Sequence, residues 1–151
     1  MAAPSLRIRH ATADDAGAIA GLAEGLAQSF TFSRPSFDAH YPALLAAGHA
    51  CLLVAVAGAD AAGDCAGYLL GFEHLTFYAN GRVAWVEEVF VRGDLRERGI
   101  GRALMTTFEE WARGRGCALA ALATRRAAPF YRALGYEDSA AYLRKLLRQP
   151  G

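Results

Sequence analysis

Lysine is almost missing from this chain: of its 16 basic residues only Lys145 is a lysine, and the other 15 are arginines. No Gly-Lys-Ser/Thr exists, so ordinary ATPase or kinase chemistry on a phosphate-binding loop is disfavoured. An excess of charge is also absent, because 16 basic residues stand against 15 acidic ones for a formal net charge of +1. That balance argues against nucleic acid or an anionic membrane as a bulk electrostatic partner. Cysteine is scarce: Cys51, Cys65 and Cys117 are odd in number and lack metal-ligand spacing, which excludes a disulfide framework and predicts free thiols. His10, His40, His49 and His74 show no zinc spacing either, so no metal is expected. Long apolar runs are missing too. The longest clean one, Ala50–Ala57, falls far short of the ~20 residues that span a bilayer and reads as a buried strand. The start, MAAPSLRIRH, lacks the apolar stretch of a signal peptide, and the expectation is a cytoplasmic protein.

What is present suits one folded domain over residues 1–151, with a core of about 6–147: 54% of residues are hydrophobic and 21% charged. Leu6-Arg7-Ile8-Arg9 alternates as a strand with one solvated face. Thr12 and Asp15 form a capping box ahead of Ile19, Leu22, Ala23 and Leu26 at helical spacing. A second helix carries Phe37, Tyr41, Leu44 and Leu45 on one face. Strands then follow at Ala50–Ala57, Cys65–Phe77 and Val83–Val91, with a turn over Gly58–Asp64 and an Asn80-Gly81 hairpin. Ile100, Leu104, Phe108 and Trp111 mark a long helix, Ala118–Ala123 a fifth strand, Pro129–Leu134 a short helix, and Tyr136–Leu147 the closing strand or strands. The fold class is α/β (α+β), a mixed sheet flanked by helices.

The most informative segment joins a strand to a helix: Val89-Phe90-Val91-Arg92-Gly93-Asp94-Leu95-Arg96-Glu97-Arg98-Gly99-Ile100-Gly101-Arg102. Glycines in a first helical turn let an anion approach free backbone N–H groups, and the helix dipole adds positive charge. Arg96, Arg98 and Arg102 surround the same turn with guanidinium forks. A pyrophosphate is the natural ligand. A dinucleotide fingerprint is disfavoured, since Leu104 stands where its third glycine would be.

Arg96-x-x-Gly99-x-Gly101 resembles the acyl-CoA signature of the GNAT family of N-acetyltransferases. A second stretch, Ala127-x-x-Phe130-Tyr131-x-x-x-Gly135-Tyr136, is similar to another motif of that family, and the likeness covers essentially the whole chain. The resemblance implies a GNAT-like acyl-CoA N-acyltransferase fold with a mostly antiparallel sheet, and acetyl-CoA as co-substrate. It implies that Val89, Phe90 and Val91 pair with the pantetheine arm, while Arg96, Glu97, Arg98, Gly99, Ile100, Gly101 and Arg102 cradle the pyrophosphate. Thr124 stands where the family often has Asn, which puts that pantetheine contact in question.

Two carboxylates, Glu87 and Glu88, sit inside the apolar run Trp85–Val91, where burial demands a partner. Regular alternation sends them to opposite faces. An ammonium of pKa near ~10 must lose its proton before attacking a thioester, and a partly buried Glu can take it. Glu87-Glu88 is similar to the Glu-Asp of the polyamine acetyltransferase branch, which implies Glu87 as base and Glu88 as orienting or binding group. Tyr131 matches the family's Phe-Tyr motif and would protonate the departing CoA thiolate, also touching the cofactor. A backbone N–H near Val89 would meet the oxyanion. The family's use of neighbouring loops implies Phe30, Phe32, Tyr78, His74 and Trp85 as acceptor-pocket walls. The expected activity is direct acetyl transfer to a primary amine of a small molecule, polyamine or amino-acid-like. A protein N-terminus or lysine as acceptor, or a non-catalytic CoA-binding module, are the alternatives. A homodimer stays open.

Overall fold

A computed structural model describes residues 5–27, 29–58 and 64–149, so the turn expected over Gly58–Asp64 falls mostly outside the described residues. The apolar run becomes strand β2 (Ala50–Ala57), buried on both faces. Before it come β1 (Leu6–His10), α1 (Ala16–Leu26) and α2 (Arg34–Ala46). After it come β3 (Asp64–Thr76) and β4 (Gly81–Val91), joined by a hairpin in which Asn80 takes a left-handed φ of 59°. The chain closes with α3 (Ile100–Gly114), β5 (Ala120–Leu122) and α4 (Ala128–Ala133). Strand order is β1-β2-β3-β4-β5, antiparallel except for β5, which runs parallel to β4. The expected α/β fold with a mixed, mostly antiparallel sheet is what forms.

Each face of the sheet has its own apolar cluster. On one, Cys51, Leu53, Leu69, Ala84 and Val86 meet Leu104, Met105 and Phe108 of α3. Gly71 makes room there, since a Cβ at that position would collide with the Phe108 ring. Burial also pushes the Cys51 thiol up to about 12, which leaves it an inert core residue. On the other face, Leu52, Val54, Val56, Tyr68 and Leu70 meet Ile19 and Leu22 of α1 and Tyr41 of α2. The capping box forms as read: the Thr12 N–H donates to the Asp15 carboxylate at 2.7 Å, and Arg9 grips both oxygens of Asp15 at 2.8 and 2.9 Å. Those bonds tie β1 to the start of α1.

An ion cluster that the sequence did not suggest locks the far end of α3. Glu73, buried on β3, receives Arg115 at 2.8 Å and Arg82 at 3.1 Å, and Arg115 also donates to the Gly48 carbonyl. The Arg115 hydrogen bond, helped by the charge of Arg82, holds the Glu73 carboxyl below its ordinary value.

The expected closing strand is overturned. Residues 137–149 form no strand, and Tyr142, Leu143 and Leu147 are exposed. Two physical reasons account for this. β5 has only three residues and offers little edge to pair with. The apolar residues also come as adjacent pairs, Tyr142-Leu143 and Leu146-Leu147, which defeats the period of two that a half-buried strand needs. The segment instead lays Tyr142 on Trp85, with ring centroids 6.5 Å apart, and Arg148 over the Phe30 ring at 5.3 Å.

Candidate active site

The site begins with an interruption of β4. Only Ala84–Val86 pair with β5, so the β4 edge from Glu87 to Val91 has no strand partner among the described residues. A bulge sits at the same point: Leu70 pairs with Glu88 and Gly71 with Val86, leaving Glu87 as an extra residue. Regular alternation therefore fails here, and the expectation of opposite faces is corrected. Trp85 pairs with Phe72 and Glu88 with Leu70, both on the α1/α2 face. Glu87 stays on the Trp85 side, accepting the indole N–H at 2.9 Å, while Glu88 accepts the Tyr68 hydroxyl at 2.6 Å. Glu87 is exposed and Glu88 half-buried.

At the end of the open edge the chain makes a single 3-10 turn and enters α3. Glu97 has a φ of 65° and Gly99 one of 81°, so two left-handed residues set the turn. A Cβ at Gly99 would meet nothing within 4 Å, so it is the backbone angle that calls for glycine there. Gly99 gives α3 no side-chain cap, and its first turn holds no acidic residue. The N–H groups of Ile100, Gly101 and Arg102 thus have no side-chain cap, an arrangement that suits an anion. Arg98 and Arg102 are exposed beside them. Arg96 is placed differently: its Nε donates to the Val91 carbonyl at 3.2 Å and its guanidinium lies 5.5 Å over the Phe90 ring, bracing the strand end.

α4 closes this side. A Cβ on Gly101 would stand 3.2 Å from the Phe130 ring, so glycine lets α4 pack on the helix start. Tyr131 is half-buried between Phe130 and Tyr136, edge to face with both. Burial raises its phenol above the ordinary value. Tyr68, Tyr41 and Tyr136 bond Glu88, the Thr12 carbonyl and Glu109 respectively, whereas the Tyr131 hydroxyl has no hydrogen-bond partner among the described residues. Thr124 accepts the Ala127 N–H at 3.0 Å and shapes the turn into α4.

On the other face a cavity of about 540 Å³ opens between α1, α2 and the sheet. Phe30 and Phe32 line it, and Glu88 forms part of its sheet wall. Tyr78 and Trp85, the other expected pocket walls, do not line this cavity. Tyr78 projects from the hairpin tip, 74% exposed, and His74 is exposed nearby. Trp85 is held by Glu87 and Tyr142.

Residues 16–136 match the sequence profile of the acetyltransferase (GNAT) family. The chain belongs to that family. Among curated relatives, an aminoglycoside N(6')-acetyltransferase type 1 from Klebsiella aerogenes is 44% identical over 57 residues, which cover 34% of this chain and 38% of the relative's length. Among solved structures, an aminoglycoside N-acetyltransferase AAC(6')-Iy in complex with CoA superposes with a TM-score of 0.83 at 21% identity, covering 97% of each chain. A glucosamine-6-phosphate N-acetyltransferase from Arabidopsis thaliana gives 0.81 at 18% identity, covering 95% of this chain and 99% of its own. At these identities the likeness is one of fold.

The donor set of this GNAT chain fits an acyl-CoA: free N–H groups and arginines suit a pyrophosphate, and an unpaired strand edge suits the amides of a pantetheine arm. The sequence did not single out Tyr68, Arg148 and Gln149, which also border the cavity. Phe37, Tyr41 and Leu44 were read only as a helix face, yet they line it as well. Their helical spacing was the available signal, and it marks core and cavity wall alike.

Proposed function

We propose that the protein is an acetyl-CoA-dependent N-acetyltransferase that passes the acetyl group directly to a primary amine of a small molecule. The observation carrying this reading is the bulged end of β4. There an open strand edge and an uncapped helix start lie beside a carboxylate that lines a cavity open to solvent. A cavity of this size takes a small molecule, which supports a free amine over a protein lysine. The likeness to an aminoglycoside acetyltransferase supports the same class. A cytoplasmic setting belongs to the proposal.

Acetyl-CoA supplies an acetyl thioester when bound. Arg98, Arg102 and the N–H groups of Ile100 to Arg102 hold its pyrophosphate, and the open edge of Val89 to Val91 aligns its arm. Glu88 holds the acceptor's ammonium from the cavity wall. Glu87, exposed on the same face, takes the proton and passes it to water. The freed amine attacks the carbonyl carbon, the C–N bond forms, and a β4 N–H near Val89 stabilises the oxyanion. The C–S bond breaks, and the Tyr131 hydroxyl, protonated at neutral pH, donates its proton to the sulfur. The second proton of the acceptor nitrogen returns through water to the Tyr131 oxygen, leaving the neutral amide and the thiol. Thiol release from acetyl-CoA over a panel of amines tests this scheme. Tyr131→Phe should lower kcat about 100-fold with CoA affinity nearly unchanged. Glu87→Gln should lower kcat about 100-fold, and Glu88→Gln should mainly raise the amine KM. An unchanged kcat in Tyr131→Phe rejects its role, and a larger kcat loss in Glu88→Gln than in Glu87→Gln exchanges the two glutamates.

A further inference from the structure

The cavity that Glu88 enters has a composition that discriminates among amines. Its walls are mainly apolar, with the aromatic rings of Phe30, Phe32, Phe37 and Tyr41 among them. Glu88 is the single carboxylate among the described lining residues, and Arg148 brings a guanidinium to the same space. One oxygen of Glu88 is occupied by the Tyr68 hydroxyl at 2.6 Å, and Oε2 has no hydrogen-bond partner among the described residues. The cavity therefore offers one strong site for one ammonium.

We infer that the acceptor is a hydrophobic monoamine, an aryl-alkyl or alkyl amine, and not a polycation. The inference rests on the acetyltransferase reading and narrows its substrate. A single ammonium pairs with Glu88, and its apolar body replaces water along the phenylalanine walls. Each further ammonium of a polyamine or aminoglycoside would leave water for a wall with no second carboxylate, and would meet Arg148 as a like charge. The Arg148 guanidinium lies over the Phe30 ring, which keeps that positive charge beside the aromatic wall. The cavity thus rejects additional charge as well as accepting apolar surface, and both are needed for specificity.

The test is calorimetry of the full chain with 2-phenylethylamine and with spermidine, with and without CoA, beside thiol release from acetyl-CoA with the same amines. The expected result is at least tenfold tighter binding of 2-phenylethylamine and a correspondingly higher kcat/KM. Phe32→Glu, a second carboxylate in the wall, should narrow or reverse the preference. The milder Phe32→Ala should weaken 2-phenylethylamine about fivefold and leave spermidine unchanged. Spermidine binding as tightly as 2-phenylethylamine, or no binding of 2-phenylethylamine in either state, overturns the inference. Thiol release with spermidine alone overturns it while keeping the acetyltransferase reading. Preferential binding of 2-phenylethylamine without thiol release from any amine upholds the cavity's preference and overturns that reading instead.

Discussion

The two faces of the sheet are built to opposite ends. Against α3 the packing is closed: Leu104, Met105 and Phe108 are fully buried, and a strand residue has been cut back to Gly71 to admit the Phe108 ring. Against α1 and α2 the same strands leave about 540 Å³ unfilled, and aromatic side chains surround the space. The closed face carries α3, whose first turn is the proposed anion cradle, so a rigid core fixes the helix proposed to hold the pyrophosphate of an acyl-CoA. The hollow face carries the cavity proposed to match an acceptor. Rigidity and selectivity are divided between the two sides of one strand, and the bulge in β4 is where they meet.

The largest effect expected from this division is on stability. Phe108→Ala should cost about 3–5 kcal/mol, because the void it leaves is enclosed by strand and helix. Phe37→Ala, in the wall of an existing cavity, should cost only about 1 kcal/mol. Denaturant melts of the two variants measure both. Equal losses would mean that the hollow face is as tightly packed as the closed one.

Next comes the ion cluster that anchors the closed face. Glu73→Gln should cost about 1.5–3 kcal/mol, since Arg115 and Arg82 lose a charged partner. The pH dependence has a definite sign. The folded Glu73 carboxyl sits below its unfolded value of ~4.3, so its contribution is complete above that pH and disappears as pH falls through the folded value. Denaturant midpoints recorded from pH 7 down to pH 3 should therefore fall more steeply in the parent chain than in Glu73→Gln. Parallel profiles would remove Glu73 from the acid response. Asp15, lowered by its Arg9 hydrogen bond, contributes in the same direction and remains in both proteins.

The closed face and its helix start were far more legible in the sequence than the hollow one. A backbone angle of 81° at Gly99 and a close approach at Gly101 write themselves as glycine, so the turn into α3 could be read letter by letter. The capping box at Thr12 and Asp15 and the Asn80-Gly81 hairpin were legible for the same reason. The bulge left no such mark: Glu87 looks like any strand residue, and regular alternation placed the two carboxylates on opposite faces. A cavity is equally silent, because Phe37 and Tyr41 have the spacing of core residues whether or not their far side is filled. Glu73, Arg82 and Arg115 are too far apart in the chain for any spacing rule to join them. The closing strand was misread because an apolar count does not distinguish paired from alternating residues in 137–147.

A smaller effect separates backbone from side chain within the cradle itself. Gly99→Ala must place a Cβ at a left-handed angle, which costs about 1–2 kcal/mol. Open space surrounds that position, so the loss should come from strain alone and should shift the melt without emptying the core. If the turn relaxes to escape the strain, CoA affinity measured by calorimetry should fall about tenfold. A variant that melts like the parent and binds CoA normally would show that the turn does not depend on the left-handed residue.

The smallest expected effect divides the arginines. Arg98 is exposed at the uncapped helix start, whereas Arg96 already braces Val91 and Phe90 from the strand side. Arg98→Ala should weaken CoA about three- to tenfold, the loss of roughly 1 kcal/mol from one partly solvated phosphate contact. It should leave the melt unchanged, and added salt should shrink the difference. Arg96→Ala should do the reverse, lowering stability by about 0.5–1 kcal/mol through the lost carbonyl bond and ring contact while changing CoA affinity less. If Arg96→Ala instead weakens CoA more than Arg98→Ala, the guanidinium leaves Phe90 to reach the pyrophosphate, and the strand end becomes a part of the cradle that moves.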